Sequence, residues 1–243
     1  MSDLDVARNL LEVQGRMAAA LIRAGRSPSE TQLIAVSKLV PVERLATALR
    51  AGQLLFGENY VQEGKLKQAQ LVEIEPSRSA EFHLIGPLQS NKIKDAVGAF
   101  ELIHSVHRLD IAEKISHQAL KIGISQKILI QVNTSGESSK SGFPLDELQR
   151  AATTVARLPG IELEGLMTIG EYLADSASRA ERVREFVRLR QARDSLSATI
   201  GPTFRQLSMG MSHDFELAIE EGATLVRVGS AIFGERERRG TND

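Results

Sequence analysis

The 243-residue chain has no cysteine, which removes disulfides, thiolate nucleophiles and cysteine-ligated metal sites together and suits a reducing compartment. Nor does it carry a charge imbalance. Thirty basic against 31 acidic residues leave a formal charge of -1, so no global field draws it to nucleic acid or anionic lipid, and any bound anion needs a local site. Long apolar runs are absent too: residues 17–22 form a short stretch flanked by Arg16 and Arg23, unlike a secretory leader, and nothing else approaches the length of a membrane span. The five histidines, His83, His104, His107, His117 and His213, include no helical pair at ligand spacing, so no metal site is expected. These absences predict a cytoplasmic protein without nucleic-acid or membrane partners. Apolar residues, by contrast, make up 42% of the chain, ample for a sizeable core.

The pattern alternates. Apolar runs at 33–37, 53–56, 81–85, 101–104, 127–133 and 161–166, a weak one near Gln206 and Leu207, and a last at 224–228 read as eight strands. Helical segments separate them: one opening at Pro41 and ending at Gly52, then 60–72, one reaching about 100, 109–121, 145–158, 176–197, and one opening at Ser212. A helix over 3–24, with Leu4, Ala7, Leu11, Ala18, Leu21 and Ile22 on its apolar stripe, is predicted to lie across a barrel end. Short links and no composition shift argue for a single (β/α)8 TIM-type barrel over residues 1–243 with an additional N-terminal helix and a loose tail at 235–243. A doubly wound open sheet is the alternative.

In such a barrel every strand's carboxyl end lies on one rim. Lys38 stands at the end of the first strand, before helix-opening Pro41, and is the candidate reactive centre. Asn59, Gly86, Asn133, Met167, Ser208 and Arg227 surround the same mouth. Gly229 and Ser230 open a short helix after the last strand with no acidic side chain in its first turn, whereas Asp214 and Glu216 already occupy the start of the helix opening at Ser212. A lysine across a barrel mouth from a phosphate site suits an aldehyde held as a Schiff base, and pyridoxal 5'-phosphate meets both needs. His83, inside a strand, reads as a satisfied core histidine, and the long loop 134–142 as a functional one.

Six motifs carry a more specific signal: Ala-Val-Ser-Lys38, Phe56-Gly-Glu-Asn-Tyr-Val-Gln-Glu63, His83-Leu-Ile-Gly-Pro-Leu-Gln-Ser-Asn-Lys92, Gly165-Leu-Met-Thr-Ile169, Ser208-Met-Gly-Met-Ser-His-Asp214 and Val226-Arg-Val-Gly-Ser-Ala-Ile-Phe-Gly234. In these the chain resembles, from Leu33 to Gly234, the pyridoxal phosphate homeostasis proteins, which share the barrel of alanine racemase and the type III pyridoxal-phosphate enzymes. The resemblance implies that Lys38 forms the Schiff base, that Ser208, Gly229 and Ser230 hold the phosphate, that Arg227 lies against the pyridine nitrogen, and that Asn59 and Met167 line the ring pocket. Leu39 and Val40 depart from the family's more polar residue after the lysine.

Two function classes compete. The resemblance implies a carrier that stores, buffers or delivers the cofactor, with little turnover, as a monomer meeting apo forms of pyridoxal-phosphate enzymes. The alternative is an amino-acid racemase, which needs two opposed bases; type III racemases add a second domain that brings a tyrosine, and this chain has only Tyr60 and Tyr172. A lysine aldolase would use the Schiff base but leave Arg227 without a role.

Overall fold

The structure, a computed structural model, describes residues 3–137, 140–170 and 177–234. Tyr172 and the 235–243 tail lie outside them. The elements run α1 (Asp3–Arg23), β1 (Gln32–Val36), α2 (Val42–Arg50), β2 (Leu55–Glu58), α3 (Val61–Ile74), β3 (Glu81–Leu84), α4 (Ile93–Ala96), β4 (Leu102–Val106), α5 (Leu109–Ile122), β5 (Gln126–Asn133), β6 (Phe143–Pro144), α6 (Leu148–Val155), β7 (Ile161–Met167), α7 (Ala177–Ile200), β8 (Gln206–Ser208), α8 (Phe215–Glu220), β9 (Leu225–Val228) and α9 (Ser230–Phe233). Hydrogen-bonded neighbours follow the order β4-β3-β2-β1-β9-β8-β7-β5, every pair parallel, and β5 pairs back onto β4. That last pairing closes an eight-stranded α/β barrel and excludes the open sheet.

Period-two alternation divides the core into two shells. Ile34, Leu55, Leu102, Leu129, Met167 and Leu225 form a separate cluster inside the barrel. Their neighbours of opposite parity, among them Leu33, Ala35, Phe56, Ile103, Leu166 and Val226, pack outward against the helices.

Where boundaries differ from expectation, polar side chains are responsible. β2 starts at Leu55 and runs through Gly57 and Glu58, because Gln53 instead turns its amide onto the carbonyls of Leu33 (2.8 Å) and Leu55 (2.5 Å). The helix after β3 shrinks to a 3-10 turn, Ser90–Lys92, and α4. Gln126 then accepts from the Gly98 N–H (2.9 Å), which a longer helix would have used, and donates to the Phe100 carbonyl (3.0 Å). Phe143 and Pro144 pair in parallel with Val132 and Asn133 as β6, and α6 begins only at Leu148.

The face of α1 is also corrected. Val6, Leu10, Val13, Met17, Ala20 and Leu21 are buried, while Leu11 and Ile22 are 66% and 78% exposed. The helix packs against α2, α8 and α9 beside the β9–β1 seam and not across a barrel end. Arg16 and Arg23 pair there with Glu216 and Glu220.

Candidate functional site

Ile34 points into the barrel, the same alternation turns Val36 inward, and Lys38 follows two residues beyond the end of β1 at the carboxyl rim. Lys38 is half-buried. The chain reverses immediately after it: Val40 N–H donates to the Ser37 carbonyl (3.0 Å), closing a four-residue turn with Lys38 and Leu39 at its centre. Leu39 sits at φ 59°, the one positive φ outside glycine among the described residues, at a turn position that ordinarily selects glycine or asparagine.

The neighbouring strands bring the other predicted residues to this rim. On one side, Val36 pairs with Gly57, so Asn59 stands beside Lys38. Asn59 is half-buried and its side-chain amide has no hydrogen-bond partner among the described residues. Gly86 crosses directly behind: a Cβ there would lie 2.4 Å from the Asn59 carbonyl oxygen and 2.5 Å from its Cα. On the other side, Ala35 pairs with Val228, which sets Gly229 beside Val36 and Ser230 at the start of α9.

Arg227 faces into the barrel and is 5% exposed. Its Nη1 donates to Ser208 Oγ (2.5 Å) and its Nη2 to the Thr168 carbonyl (2.7 Å). No carboxylate among the described residues pairs with it. Burial brings its pKa down to about 10, so it remains a cation at neutral pH. Beyond Ser208 the chain of contacts continues to His104 Nδ1 (2.9 Å) and from His104 Nε2 to His83 Nδ1 (3.0 Å). Burial pushes His83 down to about 4 and His104 well below the usual imidazole value, so both rings are neutral at pH 7.

Backbone pairing separates Ser208 from the Gly229 end. Ser208 lies opposite Leu225, the Gly210 carbonyl accepts from Arg227 N–H (3.0 Å), and Ser212 Oγ accepts from Gly229 N–H (3.2 Å). Of Ser208 and Ser212, it is therefore Ser212 whose hydroxyl stands at the head of α9. Asp214 does not cap α8 with its side chain; it reaches back to Met211 N–H (2.6 Å) and pairs with Arg182, holding the loop that carries Ser212. Met167, fully buried, belongs to the interior apolar cluster. Lys38, Asn59, Gly229 and Ser230 thus come from three adjacent strand ends, with Ser208, Met167 and Arg227 inside the barrel. Sequence reasoning missed Ser212, although it lies in the quoted Ser208–Asp214 motif, and missed His104. Counting two residues along each adjacent parallel strand would have matched Ser212 to Gly229.

A family model described as the alanine racemase N-terminal domain matches residues 17–237. The chain is 44% identical over 235 residues to the pyridoxal phosphate homeostasis protein of Escherichia coli K12, covering 96% of this chain and 97% of that relative. Among solved structures, PipY of Synechococcus elongatus with PLP bound superposes with a TM-score of 0.75 at 35% identity, covering 91% of this chain and 100% of that one. The alanine racemase of Clostridium difficile 630 shares the fold at 16% identity with a TM-score of 0.73, and this chain spans 58% of its length.

Proposed function

Because the chain belongs to the pyridoxal phosphate homeostasis protein family, whose barrel is the alanine racemase N-terminal domain, we propose that it holds pyridoxal 5'-phosphate covalently through Lys38 and stores, buffers or delivers it in the cytoplasm, with little or no turnover. The observation that carries this reading is a buried guanidinium, Arg227, with no carboxylate partner among the described residues, on the strand beside the one that ends at Lys38. A buried cation without a counter-ion is costly unless a ligand supplies electron density to it. A pyridine nitrogen lone pair does so.

Bound pyridoxal phosphate supplies an aldehyde that condenses with a primary amine as water leaves. The protein's part is binding and orientation. Lys38 would supply that amine at the rim, Asn59 would offer its amide to the ring, and Met167 with its apolar neighbours would line the ring pocket. Gly229 and Ser230, with Ser212, would hold the phosphate. Ser208 serves at one remove, holding Arg227 to its line.

Arg227 also favours a carrier over a racemase. A cation facing the pyridine nitrogen opposes its protonation and so weakens the electron sink that stabilises a carbanion. Tyr60 caps α3 at the rim and is 56% exposed, an unfavourable place for an opposing base. The protein acts as a monomer that hands the cofactor to apo forms of other enzymes. Incubation with alanine and serine in deuterated water tests this. The carrier reading expects only trace label at the α-carbon; exchange near ~1 s⁻¹, the low end of ordinary enzymes, contradicts it.

A further inference from the structure

Behind the Lys38 turn lies a cluster of charges that the cofactor does not explain. Glu58, on β2, is fully buried, and Lys67, on α3, is 6% exposed. The Lys67 ammonium has three N–H bonds and gives one to each of three acceptors: the Ser37 carbonyl (2.5 Å), Glu58 Oε1 (2.9 Å) and Glu63 Oε1 (2.6 Å). Glu58 Oε1 also accepts from Ser37 Oγ (2.7 Å), and Glu63 Oε1 accepts from Leu39 N–H (2.5 Å). The residues before and after Lys38 are thus gripped by one ion cluster. Glu58 Oε2 has no partner, and burial raises this carboxyl's pKa, so the grouping is an expensive one to keep for packing alone.

The turn needs such a grip. Leu39 occupies a backbone region that disfavours side chains, and a strained turn persists only when its surroundings over-determine it. We propose that Lys67, with Glu58 and Glu63, is a positioning device that fixes the Ser37–Val40 turn and so aims the Lys38 amine across the mouth. This rests on Lys38 being the cofactor lysine.

The variants are Glu63→Ala, at a partly exposed position that spares the core, and Lys67→Met, which keeps the stem's volume and loses the charge. Two readouts apply. In the cofactor-free protein, hydrogen–deuterium exchange at Leu39 N–H should accelerate about tenfold or more while β1 amides hold, as expected when a hydrogen bond to a charged group is lost. With ligands, covalent capture of pyridoxal phosphate should slow about tenfold, while affinity for pyridoxine phosphate, which has no aldehyde, stays within about twofold. Unchanged exchange and capture in Glu63→Ala overturn the inference, as does an equal loss for both ligands. If Lys67→Met does not fold, Glu63→Ala decides alone. Wild-type protein that captures no cofactor at Lys38 sinks the functional reading instead, and the exchange measurement still reports on the clamp.

Discussion

Arg227 Nη1 and Ser208 Oγ stand 2.5 Å apart inside the barrel, and because a guanidinium can only donate, Ser208 Oγ accepts here and keeps its own buried proton to give onward. The Ser208 O–H has His104 Nδ1 as its acceptor in this chain of contacts; with that proton given there, His104 donates from Nε2 to His83 Nδ1 and both imidazoles are Nε2–H tautomers. Nitrogen-15 imidazole spectra should show two neutral Nε2–H rings at pH 7; an Nδ1–H ring at His104 would contradict this polarity.

The same histidines make stability depend on acid. His83 has a folded pKa of about 4 against 6.5 for a free imidazole. The unfolded chain therefore binds more protons between those values. The contribution is fully present above about pH 6.5 and is lost as the pH falls toward 4, amounting to on the order of 3 kcal/mol for His83. Denaturant unfolding at pH 7.5 and 4.5 should show this loss in the wild type and a smaller one in His83→Gln.

The hydroxyl assignment separates two serines. Ser212→Ala should weaken pyridoxal phosphate about tenfold while leaving pyridoxal within twofold, because its hydroxyl stands at the Gly229 amide. Ser208→Ala should cost about 1–3 kcal/mol of stability by leaving Arg227 and His104 short of a partner, with the phosphate preference kept. Titration of each variant with both ligands distinguishes them; interchanged effects would reverse the assignment.

Gly86→Ala places a methyl group against the Asn59 backbone, which cannot swing aside as a side-chain tip can. A loss of about 1–3 kcal/mol in chemical denaturation, with weaker cofactor binding through the displaced Asn59, is expected.

On α1, Leu10→Ala should cost about 2–5 kcal/mol and Leu11→Ala less than about 0.5 kcal/mol, since Leu10 is fully buried and Leu11 is 66% exposed. Equal costs would restore the face that the sequence suggested.

That reversal shows what the sequence made legible. Apolar runs such as Ile128–Leu129–Ile130 announce their strands, and eight runs, one of them weak, separated by helical segments point to a barrel, although only the β5–β4 pairing excludes the open sheet. The rim followed from that topology, so the positions of Lys38, Asn59, Gly229 and Ser230 at neighbouring strand ends could be expected in advance. On α1, Leu11 and Ile22 fit a helical stripe as well as Leu10 and Met17 do, and only the position of α8 and α9 selects the buried face. Nothing local in the sequence marks Glu58 and Lys67 as buried, because each is buried only by virtue of the other. The resemblance implied Ser208 as a phosphate ligand; its contacts with His104 and Arg227 were not legible, because those residues come from strands far apart in sequence.

The most direct measurement is borohydride reduction of the protein loaded with pyridoxal phosphate, followed by peptide mapping. The visible absorption band should disappear and the pyridoxyl label should fall on Lys38, with Lys38→Ala folded and unlabelled there. Label recovered in full on Lys67, Lys92 or another lysine, or a reducible band persisting undiminished in Lys38→Ala, would contradict the account.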